Sequence, residues 1–241
     1  MNALIHAELI RARASRTTRA LVVVAPVMCA LWVILQVLVP APSDAIRVAN
    51  VYNSAQQAYV FTMVLGILGM AGEFRHQTIT WSFLISPRRD PVLMGKLAAY
   101  GLVGLVVAVL SALVTLVAGL VLLLANGYPA LTGDVPLVLL GAVLSVTMYA
   151  MLGVGLAVLI GSQVGAIIVA VLLWMYGDGL LAWLAPDVFR WLPTGAARAL
   201  GGMRLDQGML LPAWLGGLVF AAYIAVIVLA ARVLTLRRDI T

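Results

Sequence analysis

Leu97–Ala125 reads LAAYGLVGLVVAVLSALVTLVAGLVLLLA, a run of 29 residues that contains no charged side chain. A bilayer core about 30 Å thick is crossed by roughly 20 apolar residues in a helix, so this run is long enough to span it. Lipid offers no hydrogen-bonding partner to the peptide group, and a segment that spans it alone must therefore be helical. The stretch predicts a membrane-spanning helix, and the rest of the chain repeats the pattern.

Five other apolar runs accompany this stretch. With it they predict an all-α polytopic membrane protein of six transmembrane helices, forming one domain over residues 20–241. The second run is the shortest and begins with the polar pair Gln56 and Gln57. The five runs are Ala20–Val39, Ala55–Ala71, Leu137–Ile160, Val164–Leu184 and Ala213–Leu234.

The composition of the whole chain agrees with this interpretation. Of 241 residues, 64% are hydrophobic and only 10% are charged, and the mean hydropathy is +1.11. Soluble domains carry about 25% charged residues, so this chain has too few charges to cover a water-exposed surface. A soluble enzyme, a DNA-binding module and a disordered regulator are excluded. The net charge of +6 reflects an excess of basic residues, which we interpret as a mark of the cytoplasmic side of the membrane and not of nucleic-acid binding.

The basic residues also predict the orientation. Eleven of the fifteen Lys and Arg residues lie before the first run, between the second and third runs, or at the end of the sixth run. If there are six spans, these three regions lie on the same side of the membrane. Cytoplasmic loops are enriched in Lys and Arg, so both termini are predicted to be cytoplasmic, in the plasma membrane. The remaining four, on the opposite side, are Arg47, Arg190, Arg198 and Arg204.

The N-terminal segment Leu4–Arg19 is amphipathic. Ile5, Leu9 and Ala12 follow helical spacing, and charged residues surround them. We interpret residues 1–19 as a cytoplasmic amphipathic helix that rests on anionic lipid.

The chain lacks the usual groups for self-powered transport or catalysis. Asp178 is the single acidic residue within the six runs, which gives little support to an ion-coupled carrier or an aspartyl protease. The pair Gly95-Lys96 lacks the spacing of a phosphate-binding loop.

Metal chemistry has equally little basis in the sequence. His6 and His76 are far apart and are interpreted as solvated or interfacial side chains. Cys29, the only cysteine, cannot form an intrachain disulfide or a metal cluster, and a buried thiol is expected. We therefore predict no catalytic residue, no metal site and no cofactor in this chain.

Two connecting segments are unusually long. Residues 72–89 read GEFRHQTITWSFLISPRR and predict a cytoplasmic amphipathic helix, which could float at the interface or dock into a partner's groove. Residues 185–212 read APDVFRWLPTGAARALGGMRLDQGMLLP and are too apolar for a solvated loop. Here Thr194 is predicted to cap a short helix that ends at Gly201-Gly202, among short helices that dip back into the outer leaflet.

The order of these features resembles the permease subunits of the ABC type-2 exporter family. The resemblance is carried by GEFRHQTIT after the second run, the basic pair Arg88-Arg89 and Lys96 before the third run. The run YAMLGVGLA at residues 149–157, VGAI at 164–167 and WLPTGAA at 191–197 agree with the same family, and the likeness covers nearly the whole chain.

The resemblance implies a six-helix half-exporter with ATP-driven partners. It would pair with a second permease chain, identical or different, and with two copies of an ATP-binding subunit that hold ATP and Mg²⁺. Residues 72–89 would be the coupling helix, seated in a groove of that subunit. Gln77 stands where the family often has Gly, and residues 161–163 lack a basic residue that the family often has there. The residues assigned to ATPase coupling are Glu73, Phe74, Arg75, His76 and Thr78.

The resemblance also implies candidate cargo contacts. In the family the second and fifth spans line the path, although ordinary packing remains an alternative for each residue named. The cargo would be a hydrophobic or amphiphilic molecule, such as a drug, antibiotic, peptide or lipid. A membrane scaffold without transport, or an ion-coupled carrier based on Asp178, are the alternatives. The path residues are Tyr59, Phe61, Met63, Met175 and Asp178, and the external gate residues are Trp191, Leu192 and Pro193.

Overall fold

The computed structural model describes the backbone of residues 2–39, 44–75, 89–177, 180–203 and 210–237, and most of their side chains. All regular structure within these ranges is helical. Ser54–Ala58 forms a 3₁₀ turn between two α-helices. The helices are α1 Asn2–Ala14, α2 Arg16–Leu38, α3 Asp44–Asn53, α4 Tyr59–Arg75, α5 Arg89–Ala125, α6 Val135–Ile160, α7 Gln163–Gly177, α8 Leu180–Leu184, α9 Pro186–Phe189, α10 Pro193–Leu200 and α11 Ala213–Arg237.

Five helical stretches among the described residues are long and apolar enough to cross a membrane. The predicted fifth run, Val164–Leu184, is described as two pieces, α7 and α8. The 15 residues of α7 extend about 22 Å at 1.5 Å per residue, which is less than a bilayer core. The five stretches are Arg16–Leu38, Val48–Ala71, Val92–Ala125, Val135–Ile160 and Ala213–Val233.

The N-terminal helix is shorter than predicted. It ends at Ala14, and Arg16 opens α2, so Leu4–Arg19 is not one helix. The physical reason is Ser15, whose hydroxyl accepts a hydrogen bond from the Thr18 amide at 3.3 Å and caps the following helix. α1 is therefore a separate element, and it packs against α5.

The second span is longer than the sequence pattern indicates, and it changes its winding partway along. Helix α3, Asp44–Asn53, begins eleven residues before the predicted start of the span at Ala55. The 3₁₀ turn then carries Gln56 into the interior before α4 resumes α-helical geometry. Tighter winding of this kind shifts the direction of the side chains, and it places the polar residues against neighbouring helices.

Helix α4 is the centre of the bundle. Of the most apolar part of Val48–Ala71, 72% is buried within the chain, more than in any other candidate span described. α4 packs most extensively against α6. A Cβ at Gly66 would lie 2.0 Å from the Ala150 carbonyl oxygen, and one at Gly153 would lie 2.1 Å from the Met63 carbonyl oxygen. The two backbones approach so closely that only glycine fits at these two positions.

The external segment holds a short helix near its predicted place. α10 ends at Leu200 with Gly201 as its C-cap, and Gly202 follows with φ of +68°, as the Gly201-Gly202 pair predicts. Its start differs from the prediction, because Leu192 is the N-cap and Pro193 is the first helical residue. Proline suits that position since it lacks the amide proton that would be unsatisfied there. Thr194 is therefore not the cap.

α10 is tightly packed onto one end of the bundle. A Cβ at Gly141 in α6 would lie 2.0 Å from the Leu200 carbonyl oxygen, and one at Gly216 in α11 would lie 2.6 Å from the Ala196 carbonyl oxygen. The segment is thus a structural layer across the ends of α6 and α11, at the end that is external in the predicted orientation. Cys29 is buried, as expected, and its thiol lies 3.6 Å from the Ala55 carbonyl oxygen.

Replacement of Gly66 by alanine tests the α4–α6 contact. Because the added methyl overlaps a backbone carbonyl, we expect Gly66→Ala to destabilise the protein by about 1–3 kcal/mol. Thermal unfolding in detergent should fall by roughly 2–12 °C. Gly133→Ala is the matched control, since a Cβ there meets no atom within 4 Å. Equal melting temperatures for both variants would contradict the close approach.

Candidate functional site: polar clusters at the two ends of α4

Few polar side chains are buried among the described residues, and most of them lie near α4. A polar group in an apolar interior is costly unless it is hydrogen-bonded, and in membrane proteins such groups commonly mark functional sites. Two sets lie at opposite ends of α4 and its 3₁₀ turn. The buried polar residues are Asn53, Ser54, Gln56, Thr62, Lys96, Ser111, Thr115 and Ser145.

We call the first set the outer polar cluster: Asn53, Gln56 and Ser145. The Gln56 amide nitrogen donates to Ser145 Oγ at 2.8 Å and also to the Ala197 carbonyl oxygen. The Asn53 amide nitrogen donates to the Gly201 carbonyl oxygen at 2.7 Å and to Gln56 Oε1 at 3.1 Å. The cluster thereby joins the second span, α6 and α10 through side chains that are all buried.

A small, partly open cavity of about 30 Å³ adjoins the outer polar cluster. This volume is sufficient for one or two water molecules. The guanidinium of Arg198, on α10, lies 5.9 Å from the centre of the Phe189 ring. The cavity is lined by Asn53, Gln56, Gln57, Tyr59, Tyr149, Arg198 and Met203.

We call the second set the inner ion pair: Lys96 and Glu8. Lys96 Nζ lies 2.9 Å from Glu8 Oε1 and donates to the Gly69 carbonyl oxygen at 3.3 Å. The lysine side chain is 1% exposed and the glutamate side chain 13% exposed. Exposed Arg11 also contacts Glu8, at 3.2 Å. The pair fastens α1 and α5 to the inner end of α4.

The sequence pattern missed this ion pair. Lys96 was predicted to open the third span as one of several cytoplasmic cations, but α5 begins at Arg89 and encloses it. Glu8 lies on the inward face of α1 with Ala12, and its side chain is 13% exposed. One signal was available, since Lys96 is the only lysine beside fourteen arginines. The lysine ammonium is compact, and the Glu8 carboxylate and the Gly69 carbonyl serve as its acceptors. An arginine guanidinium has five N–H donors, and these two acceptors would leave some of them without a hydrogen bond.

The predicted path residues lie in different environments. Tyr59 and Met63 are buried within the chain, and the Tyr59 ring lies 4.7 Å from that of Tyr149, which lies 4.8 Å from Phe220. Phe61 is half-buried on another side of α4. These three residues are therefore not brought together on one surface. The Met175 side chain and Asp178 lie outside the described part of the chain.

The predicted gate residues lie at the outer end. Trp191 is 46% exposed, while Leu192 and Pro193 are half-buried at the start of α10. Trp183 and Trp214 are also exposed at this end. Tryptophan is enriched at membrane–water interfaces, so three exposed indoles at one end of the bundle are consistent with a position at such an interface.

The predicted coupling residues lie only partly within the described residues. Glu73, Phe74 and Arg75 form the last residues of α4, and their side chains lie outside the description. His76 and Thr78 lie outside the described residues altogether.

No family model and no curated protein matches the chain.

Removal of the lysine charge tests the inner ion pair. Because Lys96→Met removes the buried partner of the Glu8 carboxylate and leaves it only the contact with exposed Arg11, we expect a loss of about 1–3 kcal/mol in the free energy of unfolding. The double variant Glu8→Leu/Lys96→Met should recover most of that loss. Arg13→Gln, which removes an exposed cation on α1, the helix that carries Glu8, is the control and should change stability by less than about 0.5 kcal/mol. A Lys96→Met protein as stable as the control would rule out the pair.

Removal of the Gln56 amide tests the outer polar cluster. Gln56→Leu leaves the Ser145 hydroxyl without this donor, and we expect a loss of about 1–3 kcal/mol. Amide hydrogen exchange in Ala196–Gly202 should become faster, because α10 loses one of its attachments. Asn126→Ala removes only a local, exposed hydrogen bond and serves as the control. Unchanged exchange in α10 would contradict the proposed attachment.

Proposed function

We propose that this chain is the membrane-embedded permease subunit of an ATP-driven exporter of the ABC type-2 kind. One observation carries the proposal: the most buried span described is fastened at both ends, and its helix runs to Arg75, into the predicted coupling segment of residues 72–89. ATP hydrolysis would take place in a separate subunit. The cargo would be hydrophobic or amphiphilic.

The contacts of α4 support a mechanical role. The glycine contact at Gly66 and the inner ion pair couple α4 to α6, α5 and α1. At the opposite end, Gln56 couples the same span to α10. A displacement imposed on the segment after Arg75 would therefore be transmitted along a stiff helix to the outer layer. Such rigid coupling biases an equilibrium between two arrangements of the bundle, as alternating access requires.

The position of α10 supports a sixth crossing. α7 starts at Gln163, directly after the inner end of α6 at Ile160, whereas α10 contacts α6 at Gly141. Those two points on α6 are separated by about 28 Å at 1.5 Å per residue. The chain between Gln163 and Pro193 has to cover that distance, and we assign it as the fifth of six spans. With six spans, both termini share the basic, cytoplasmic side of the plasma membrane.

The exposed face of α7 suits a partner or lipid. Val164, Ile168 and Leu172 are exposed at successive turns of this helix. We assign this stripe to the vicinity of a second permease chain, which completes the cargo path. Two copies of the ATP-binding subunit, holding ATP and Mg²⁺, complete the complex.

Loss of the coupling residues tests the function. The tagged chain, purified from its native membrane, should bring a P-loop ATPase with it. In vesicles containing both proteins, Glu73→Ala/Arg75→Ala should lower ATP-dependent export at least about tenfold, because a charge-assisted contact is worth about 1.5–3 kcal/mol.

The chain offers a matched control for that variant. Asp187→Ala/Arg190→Ala removes an acid and an arginine that form a 3.2 Å ion pair in the predicted external segment, again with no change in net charge. Export by this control should stay within about twofold of the wild type, because rim charges contribute little. Isolation without any ATPase, together with unchanged export by Glu73→Ala/Arg75→Ala, would favour a membrane scaffold instead.

A further inference from the structure

Helix α2 carries an exposed apolar ridge. Only 28% of the most apolar part of Arg16–Leu38 is buried within the chain, so most of the helix surface faces outward. Val23, Val27 and Leu31 are all exposed. They lie four residues apart and therefore follow one another along a single side of the helix. Because α2 is long and apolar enough to cross a membrane, this ridge is suited to contact lipid chains.

Two arginines lie at the N-terminal end of the ridge. Arg16 and Arg19 belong to the first turn of α2, and both are exposed. Arg19 lies four residues before Val23 and continues the ridge. Arg16 lies three residues before Arg19, so their Cβ atoms are about 5–6 Å apart. The two side chains therefore start side by side at the point where the apolar ridge begins.

The charges of these two arginines are not matched by a carboxylate in the part of the chain that the structure describes. The first turn of α2 holds no acidic residue, and neither arginine has an ion pair there. Glu8 is the only acidic residue before Asp44, and it contacts Lys96 at 2.9 Å. Like charges at this spacing repel each other, and an anion placed between them would relieve that repulsion.

The position of the arginines favours a phospholipid as that anion. The end of a membrane-length helix lies at head-group depth, whichever way the helix is oriented. Ten residues of helix beyond Arg19 rise about 15 Å, half of a bilayer core about 30 Å thick. Val23 and Val27 lie within that depth. A lipid can therefore contact the arginines with its phosphate and the ridge with a chain, whereas an acidic protein segment would match only the charge.

We propose that Arg16 and Arg19 bind the phosphate of an anionic phospholipid, and that Val23 and Val27 hold one of its chains. The sequence pattern predicts a contact with anionic lipid along the whole of residues 1–19. The site proposed here is confined to one face of α2 and has two recognition residues. It does not depend on export or on an ATPase.

Native mass spectrometry of the full-length chain, released from neutral detergent, tests the site by counting bound lipids. The probes are dioleoyl phosphatidylglycerol, dioleoyl phosphatidylcholine, which has the same chains and no net charge, and glycerol phosphate, which is an anion without chains. We expect phosphatidylglycerol to bind at least about tenfold more tightly than phosphatidylcholine, because each arginine near an anionic lipid contributes about fivefold. Glycerol phosphate in tenfold excess should not displace it, since it lacks the contact with the ridge.

Variants show whether these arginines are responsible. Arg16→Gln and Arg19→Gln should each weaken phosphatidylglycerol binding about fivefold, and the double variant at least about tenfold. Arg16→Lys/Arg19→Lys should weaken it less, because both charges remain. Arg13→Gln is the matched control, the same substitution at an exposed arginine that lies on α1. It should bind within about twofold of the wild type.

Four results would overturn the proposal. Equal binding of phosphatidylglycerol and phosphatidylcholine would mean that no anion is recognised. Equal losses in Arg13→Gln and Arg16→Gln would mean a diffuse attraction to surface charge. Displacement of the lipid by glycerol phosphate would identify a free anion as sufficient, and displacement by a peptide of ten glutamates would favour an acidic protein partner.

Undiminished binding by Arg16→Gln/Arg19→Gln, with an unchanged melting temperature, would also exclude the site. If that double variant does not fold, the single variants Arg16→Gln and Arg19→Gln decide the question. Undiminished binding by both then excludes it.

Discussion

Burial of α4 is the constraint on which the rest of the bundle depends. A helix enclosed by other helices takes the partners of its buried polar groups from the same chain, because a buried polar group without a hydrogen bond is costly. The carbonyl of Gly69 finds Lys96, and Lys96 in turn requires Glu8. At the other end, Gln56 requires Ser145 and α10. The positions of α1 and α10 thus follow from the environment of one central helix.

Sequence patterns predicted the membrane class, the helical fold and four of the apolar spans to within a few residues. They also predicted the helix that ends at Gly201-Gly202, since glycine at a helix terminus is a strong local signal. These successes share one cause. Apolar length and terminal chemistry are local properties, and the bilayer makes their consequences nearly obligatory.

The features that sequence patterns missed are non-local. The partner of Lys96 lies 88 residues away, and no periodicity links it to Glu8. The extension of the second span through Asp44–Asn53 could not be predicted, because polar residues interrupt the apolar run there. Those polar residues are stabilised by tertiary contacts, such as the hydrogen bond from Asn53 to the Gly201 carbonyl oxygen. The outer polar cluster could not be predicted either, since in the sequence Gln56 resembles an ordinary polar residue at the start of a span. The ion pair, the extension of the second span and the outer polar cluster all depend on tertiary contacts.

The 3₁₀ turn in the second span has a consequence for the order in which the protein is made. Gln56 and Asn53 enter the membrane early, but their acceptors at Ala197 and Gly201 lie 141 and 148 residues further along the chain. At roughly 5–20 residues per second, the ribosome needs roughly 7 to 30 s to supply them. Until then the Asn53 and Gln56 amides lack these two acceptors. Maturation of the bundle is therefore completed from the C-terminal side, when α10 arrives and closes the outer end.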